Sequence, residues 1–341
     1  MTVRPFFLCR FGVALALTTL VGCAQPQPPL ELTFNRGAQL LAAGSPKSAI
    51  PFLTQTIASV PDGPEPPALL ALAYALDLQS AQAIQQARSV KRPEGAAPGW
   101  EGVAIGIAEM TRHRPGEAIA VLQRVVTMAP PDSKILPAAR QWLTMAYLLK
   151  GDHLSATATI ETLAKTPAMK STTLLWTALI RARDGKTSVA ADVVMQAAMM
   201  EAVACGRLAF EGNLDDQSLY DGAIAATAVG KFDMAQGMFA ALQLRNPDAG
   251  DAAIWLALVN GAQGNWQASR KLLADSCDKG SAPCRGLANQ LFALVAALED
   301  RPEAMVEHLL AGQRQLGREN APAHVVEQPK PESVWYSDSL K

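Results

Sequence analysis

Charge of one sign, aromatic residues, histidine and cysteine are all scarce in this chain of 341 residues, and each scarcity removes a class of function. Lysine and arginine number 30 against 31 acidic residues. Without an excess of positive charge there is no electrostatic footprint for a nucleic-acid backbone, so no nucleic-acid partner is expected. The four histidines, His113, His153, His308 and His324, are far apart in sequence and none stands at metal-ligand spacing to another, which argues against a metal centre. No GxSxG, CxxC or His-Glu-x-x-His pattern occurs, and no paired-carboxylate signature stands out. Gly222 to Lys231 ends in Gly-Lys but has the wrong spacing for a phosphate loop and no Ser or Thr after the lysine. Catalytic residues, cofactors and metals are therefore expected to be absent. The longest N-terminal apolar run, Phe11 to Val21, falls well short of the ~20 residues that span a bilayer.

What the first thirty residues do contain is an address. Arg4 and Arg10 give a positive start, the apolar run follows, and Leu20-Val21-Gly22 sets small residues just before Cys23. Removing this segment leaves 28 basic and 31 acidic residues, a formal charge of -3. Gln25 to Pro29 then reads as an extended polar tether. Leu20-Val21-Gly22-Cys23 resembles the lipobox of bacterial lipoproteins. The resemblance implies cleavage before Cys23, a diacylglycerol thioether on its sulfur and acylation of the freed amine. Several acyl chains hold a protein on a membrane where one anchors only marginally. Ala24, in place of the aspartate that marks inner-membrane retention in that family, implies the outer membrane, with the protein facing the periplasm.

The mature chain carries a repeat. Gly-polar-x-x-Ala segments recur, each followed by an apolar helical stretch and often by proline. With alanine as the marker the series is Ala49, Ala83, Ala118, Ala156, Ala190, Ala235, Ala268 and Ala304, a period near 34 with one long step of 45 before Ala235. The clearest unit runs from Asp216 to Pro247, with Gly230, Ala235 and Phe239 inside it, and Trp142 and Trp176 stand 34 residues apart. This pattern resembles the tetratricopeptide repeat, a helix, a turn and a second helix in about 34 residues. The implied fold class is all-α, an α-solenoid of such helix pairs over residues 30–318. It would follow a cleaved signal peptide (1–22) and a lipidated tether (23–29), and precede a proline-containing tail (319–341). Ala83 departs from the pattern, with no glycine before its helix.

The residue types have physical reasons of their own. A small residue lets two helix backbones approach, and Leu122, Val125 and Val126 after Ala118 form a stripe that one helix pair cannot bury alone. Gly102 and Gly106 are spaced to permit close packing. Glycine after a helix, as at Gly151, supplies the left-handed residue that satisfies the last carbonyls, and Asp152 is placed to cap the next helix.

Cys277 and Cys284 flank a short Asp-Lys-Gly-Ser-Ala-Pro connection, within bridging reach. A disulfide is expected there, contributing roughly 2.5 kcal/mol by the chain-entropy model, with two buried free thiols as the alternative. The pair also resembles the cysteine-containing relatives of the repeat in secreted bacterial proteins. Two regions break the rhythm and supply candidate partner-binding residues: Phe210 and Tyr220 within the long step, and Trp335 and Tyr336 in the tail. A lipid anchor joined to a repeat scaffold resembles, in architecture, the accessory lipoproteins of pilus and secretion machines. That implies envelope protein partners such as a secretin or pilus component. Scaffolding of exopolysaccharide export and regulation of cell-wall synthesis are alternatives. A divergent hydrolase is a further one, for which the sequence offers no convincing polar cluster.

Overall fold

The structure is a computed structural model that describes residues 29–59, 63–163, 170–186, 214–248, 250–276 and 282–319, with positions 188, 190, 193, 279 and 280 between them. Among the described residues there are fifteen named helices and no strand. They are α1 (Pro29–Ala42), α2 (Pro46–Ser59), α3 (Glu65–Leu76), α4 (Ser80–Arg88), α5 (Trp100–Thr111), α6 (Pro115–Met128), α7 (Ile135–Leu149), α8 (His153–Leu163), α9 (Lys170–Arg183), α10 (Leu214–Ala228), α11 (Phe232–Arg245), α12 (Gly250–Ala262), α13 (Trp266–Ser276), α14 (Ala282–Leu298) and α15 (Pro302–Glu319). No helix among the described residues is long and apolar enough to cross a membrane. Among the described residues the contacts form two units, one of residues 29–159 with 296–319 and the other lying between 160 and 295.

Eight turns share one geometry. At each, the residue ending the first helix has φ between 55° and 84°: Gly44, Leu78, His113, Gly151, Gly185, Gly230, Gly264 and Asp300. Two backbone bonds close each turn. At Gly151 they run from its own N–H to the Leu148 carbonyl and from the Asp152 N–H to the Tyr147 carbonyl, both 2.9 Å. The same pair of bonds recurs at the other seven turns. This is the Schellman closure, which satisfies carbonyls that the helix end would otherwise leave open. Five of the eight positions are glycine, the residue that reaches positive φ without steric cost. Leu78, His113 and Asp300 adopt it as L-residues, so the turn before Ala83 exists without its glycine. After Gly151 the expected cap is present: the Ser155 N–H donates to Asp152 Oδ1 at 3.0 Å, and this bond holds the Asp152 carboxyl below its ordinary value of 3.8.

The turns also fix the true register of the repeat. Five residues after each left-handed residue, one backbone N–H donates to the carbonyl of the residue that follows that left-handed position: at Ala49, Ala83, Ala118, Ala156, Ala190, Ala235, Ser269 and Met305. The first six are the expected alanines, all fully buried. The last two correct the sequence reading by one residue. Ala268 is exposed and Ala304 half-buried, while Ser269 and Met305 are buried in their places. Alanine suits any helical face, so composition alone did not distinguish neighbouring positions.

Within the first unit, consecutive helices α1 to α7 pack each on the next, and α3 packs on α5 and α5 on α7, so the first helices of successive pairs also lie side by side. Glycine brings the members of a pair together. A Cβ on Gly106 would stand 2.5 Å from Leu122 Cγ, one on Gly102 would stand 2.6 Å from Val125 Cγ2, and one on Gly37 2.8 Å from Leu53 Cδ2. A bidentate ion pair of Arg92 with Glu101 ties the α4–α5 connection to α5, and Glu101 also accepts the Gly99 N–H at 2.8 Å.

The other unit has an aromatic centre. Tyr220 meets Phe239 edge-on at 5.9 Å, and Phe239 stacks on Trp255 at 6.4 Å, all three fully buried. Trp176 on α9 is also fully buried, and Arg183 lies over the Trp266 ring at 5.7 Å. Gly250 opens α12 where the Gly280 backbone passes so closely that no side chain fits between them.

Candidate functional site

The first helices α3, α5 and α7 form a face on which another helix is seated. That helix is α15, which packs on α3 and α5. Its Leu309, Leu310 and Gln313 enclose, with Leu72 and Leu76 of α3, Trp100 of α5, and Ala138, Gln141 and Trp142 of α7, a cavity of about 20 Å3. Leu309 and Leu310 are buried, as are Met305 and Val306 one turn earlier. Gln141 is 1 % exposed, and its side-chain Nε2 has no hydrogen-bond partner. A larger open hollow of about 350 Å3 lies beside it, between the start of α2 (Ser45 to Ser48), Asp77 and Leu78, and Glu307, Leu310 and Arg314 of α15.

Polar contacts mark both ends of this helix. Arg314 Nη1 donates to the Gly44 carbonyl at 3.0 Å, across 270 residues of sequence. At the other end His113 Nδ1 lies 3.9 Å from Asp300 Oδ1, and its Nε2 lies 3.7 Å from Glu303 Oε1. All three side chains are about half exposed or more. The sequence placed His113 apart from Glu303; the fold brings two left-handed turns together, those of His113 and Asp300. His308 is half-buried, and burial holds its imidazole below the ordinary value of 6.5. Among the described residues no group of three or more His, Cys, Asp or Glu side chains is arranged to hold a metal ion.

Of the residues singled out in the sequence, Tyr220 is placed most clearly, and the placement corrects the expectation. At 1 % exposed and packed on Phe239, its ring fills the core and offers no surface to a partner. Cys23, Phe210, Cys277, Trp335 and Tyr336 lie outside the described residues. Cys284 falls on the backbone of α14, and its side chain lies outside them too. The α3, α5, α7 face was not resolved to particular residues by sequence reasoning. The signal that could have located it is the unbroken apolar run of α3, Ala68 to Ala73, too apolar for a helix with one solvated side.

These features define an all-α protein of tetratricopeptide-like helix pairs, each pair closed by the same left-handed turn. No protein-family model matches the sequence, and no curated protein matches it either. Among solved structures, the chain is similar to the C-terminal part of a TPR repeat-containing protein from Cytophaga hutchinsonii, at 12% identity over 72% of this chain and 95% of that one, TM-score 0.42. It is also similar to a chain of the APC/C hetero-tetramer Cut9-Hcn1, at 14% identity over 85% of this chain and 53% of that one, TM-score 0.39.

Proposed function

We propose that this protein is a lipid-anchored scaffold of the bacterial envelope that binds other proteins on the first-helix faces of its repeats, serving as an accessory or assembly factor of a machine such as a pilus or secretion system. The observation that carries the binding role is the face of α3, α5 and α7, which takes up a helix along an apolar stripe. Helix pairs of this kind bury their stripes only by stacking, and stacking leaves first helices side by side as a continuous surface for a protein segment. What supports the anchor is the run Leu20-Val21-Gly22-Cys23 behind a charged and apolar leader, with the tether that follows. Outer-membrane placement rests on Ala24 after the acylated cysteine.

The test is crosslinking of the protein in its native envelope, capture, and mass spectrometry of what is held to it, with Cys23→Ser as the control. Recovery of a secretin or pilus component supports the assembly role. Recovery of a polysaccharide synthase or a peptidoglycan enzyme replaces it with the export or cell-wall reading. Labelling with a palmitate analogue that persists in Cys23→Ser removes the anchor from the proposal.

A further inference from the structure

Among the described residues no element precedes α1, so the first helix pair has an outer side that no earlier pair covers. α1 packs on α2 and α2 on α3, and each of the two helices keeps one exposed stripe. On α1 it is Leu32, Arg36 and Gln39; on α2 it is Lys47, Pro51, Thr54 and Ala58, in both cases at steps of three and four residues that share a helical face. The end pair of a stack ordinarily carries a polar outer face. This face is only weakly polar. Leu32 is 39 % exposed, and Ile50, Phe52 and Ile57 border the α2 stripe half-buried. Thr54 Oγ1 donates to the Ile50 carbonyl at 2.9 Å and Ser59 Oγ to the Gln55 carbonyl at 3.1 Å, so these hydroxyls are bonded within their own helix. Pro51 has no N–H to offer. The charge is of one sign. No acidic residue stands between Glu31 and Asp62, the longest such stretch beyond the leader, whereas Arg36 and Lys47 both lie within it and both are exposed.

We propose that the uncovered face of α1 and α2 rests on the headgroup layer of an anionic phospholipid bilayer, with Arg36 and Lys47 on the phosphates and Leu32 and Pro51 against the apolar boundary beneath them. The inference rests on the lipid-anchored reading above and adds to it which face of the protein meets the membrane. The chain length outside the helices points to this occupant. Pro29 stands six residues beyond Cys23, and a fully extended segment of that length spans about 20 Å, no more than α1 itself with its 14 residues. An acylated Cys23 therefore holds the start of α1 within one helix length of the bilayer. Charge points the same way, because a surface with cations and no anions is drawn to anionic lipid and meets no repulsion from it. Arginine and lysine suit the boundary, since their stems lie along apolar surface while their charged ends reach phosphate. Lys47 also borders the open hollow lined by Asp77, Glu307 and Arg314, so the test removes both cations and not Lys47 alone.

The test holds the chain on vesicles by a route that does not use Cys23. A hexahistidine tag replaces residues 1–23, which leaves every described residue in place. The vesicles are phosphatidylcholine, with or without an equal part of phosphatidylglycerol, and carry a nickel-chelating lipid and a photoactivatable phospholipid. The flexible tag lets any face meet the bilayer, and mass spectrometry of the peptides shows which residues take up lipid. Crosslinks are expected to gather in residues 32–59 and to rise about ten-fold or more with phosphatidylglycerol, at about five-fold for each cation. Arg36→Gln combined with Lys47→Gln is expected to remove that rise while the circular dichroism stays that of wild type. Crosslinks gathered on α6 and α8, or spread evenly along the chain, overturn the proposal. So does a yield in residues 32–59 that is the same with and without phosphatidylglycerol, a comparison that needs no variant and stays decisive if the double variant unfolds. Self-association in solution that protects the α1 and α2 amides from hydrogen exchange assigns the face to a second copy of the chain and also overturns it. Palmitate labelling of the wild-type chain is read separately. Labelling with crosslinks elsewhere leaves the anchor and removes this surface; crosslinks in residues 32–59 without labelling leave the surface and remove the anchor.

Discussion

Gly151→Ala and Gly116→Ala place the same methyl group in equally open space, and their effects on stability should have opposite signs. Neither added Cβ would meet another heavy atom within 4 Å, so packing contributes nothing to the comparison. At Gly151 φ is +77°, where an L-residue costs about 1–2 kcal/mol. The alanine recovers about 0.4–1 kcal/mol by restricting the unfolded chain. The net loss is about 1 kcal/mol. Gly116 lies in the first turn of α6, with helical φ, so only the favourable terms act and alanine should stabilise by about 0.5 kcal/mol. Both positions belong to the unit of residues 29–159 and 296–319. Guanidinium denaturation followed by circular dichroism is the assay. With an m-value of about 4 kcal/mol/M, the two midpoints should separate by about 0.4 M, Gly151→Ala below wild type and Gly116→Ala above it. Two shifts of the same sign would refute the left-handed turn as the source of the difference, and with it the closure argued for all eight turns.

Gly106→Ala should destabilise the same unit by about 1–3 kcal/mol, because its Cβ would meet Leu122 within a packed pair; a melting curve unchanged from wild type would deny that contact. In the other unit, Phe239→Ala should cost about 3–5 kcal/mol by opening a void between Tyr220 and Trp255, read as lost protection of α10 to α12 in hydrogen exchange. Asp152→Ala should cost about 1 kcal/mol at neutral pH through loss of the α8 cap. The folded carboxyl of Asp152 lies below its ordinary 3.8, so its contribution is complete above that value and disappears as pH falls through the folded one. The difference between wild type and Asp152→Ala should therefore narrow in acid. For His308 burial depresses the folded pKa below 6.5, so the unfolded chain takes up the proton first. Its neutral form fits the fold fully above about pH 6.5, and stability is lost as pH falls below that. His308→Gln should lose less melting temperature between pH 7.5 and 5.5 than wild type does, and an identical loss would exclude His308 from the acid response.

The helical class, the period near 34 and the sites of most turns were legible in the sequence, because the forces that set them are local. A left-handed residue that ends a helix is most often glycine, and Gly44, Gly151, Gly185, Gly230 and Gly264 announce their turns by composition alone. The caps and apolar stripes next to them obey the same short-range geometry, which is why Asp152 and the close approach at Gly106 could be anticipated. Local rules lost their force where packing overrode propensity. Leu78, His113 and Asp300 take the left-handed conformation without being glycine, and Ser269 and Met305 hold positions that neighbouring alanines suggested more strongly. Tyr220 read as a candidate contact residue in the stretch that breaks the repeat, and only the stack with Phe239 and Trp255 shows that it closes a core. The same limit applies to the candidate site. The stripe of α15 was readable as an amphipathic helix, but the surface that receives it comes from α3, α5 and α7. An apolar stripe states that a helix must be buried and not against what. That choice depends on contacts across as many as 270 residues, set by how the helix pairs stack, and so it was made by the tertiary structure alone.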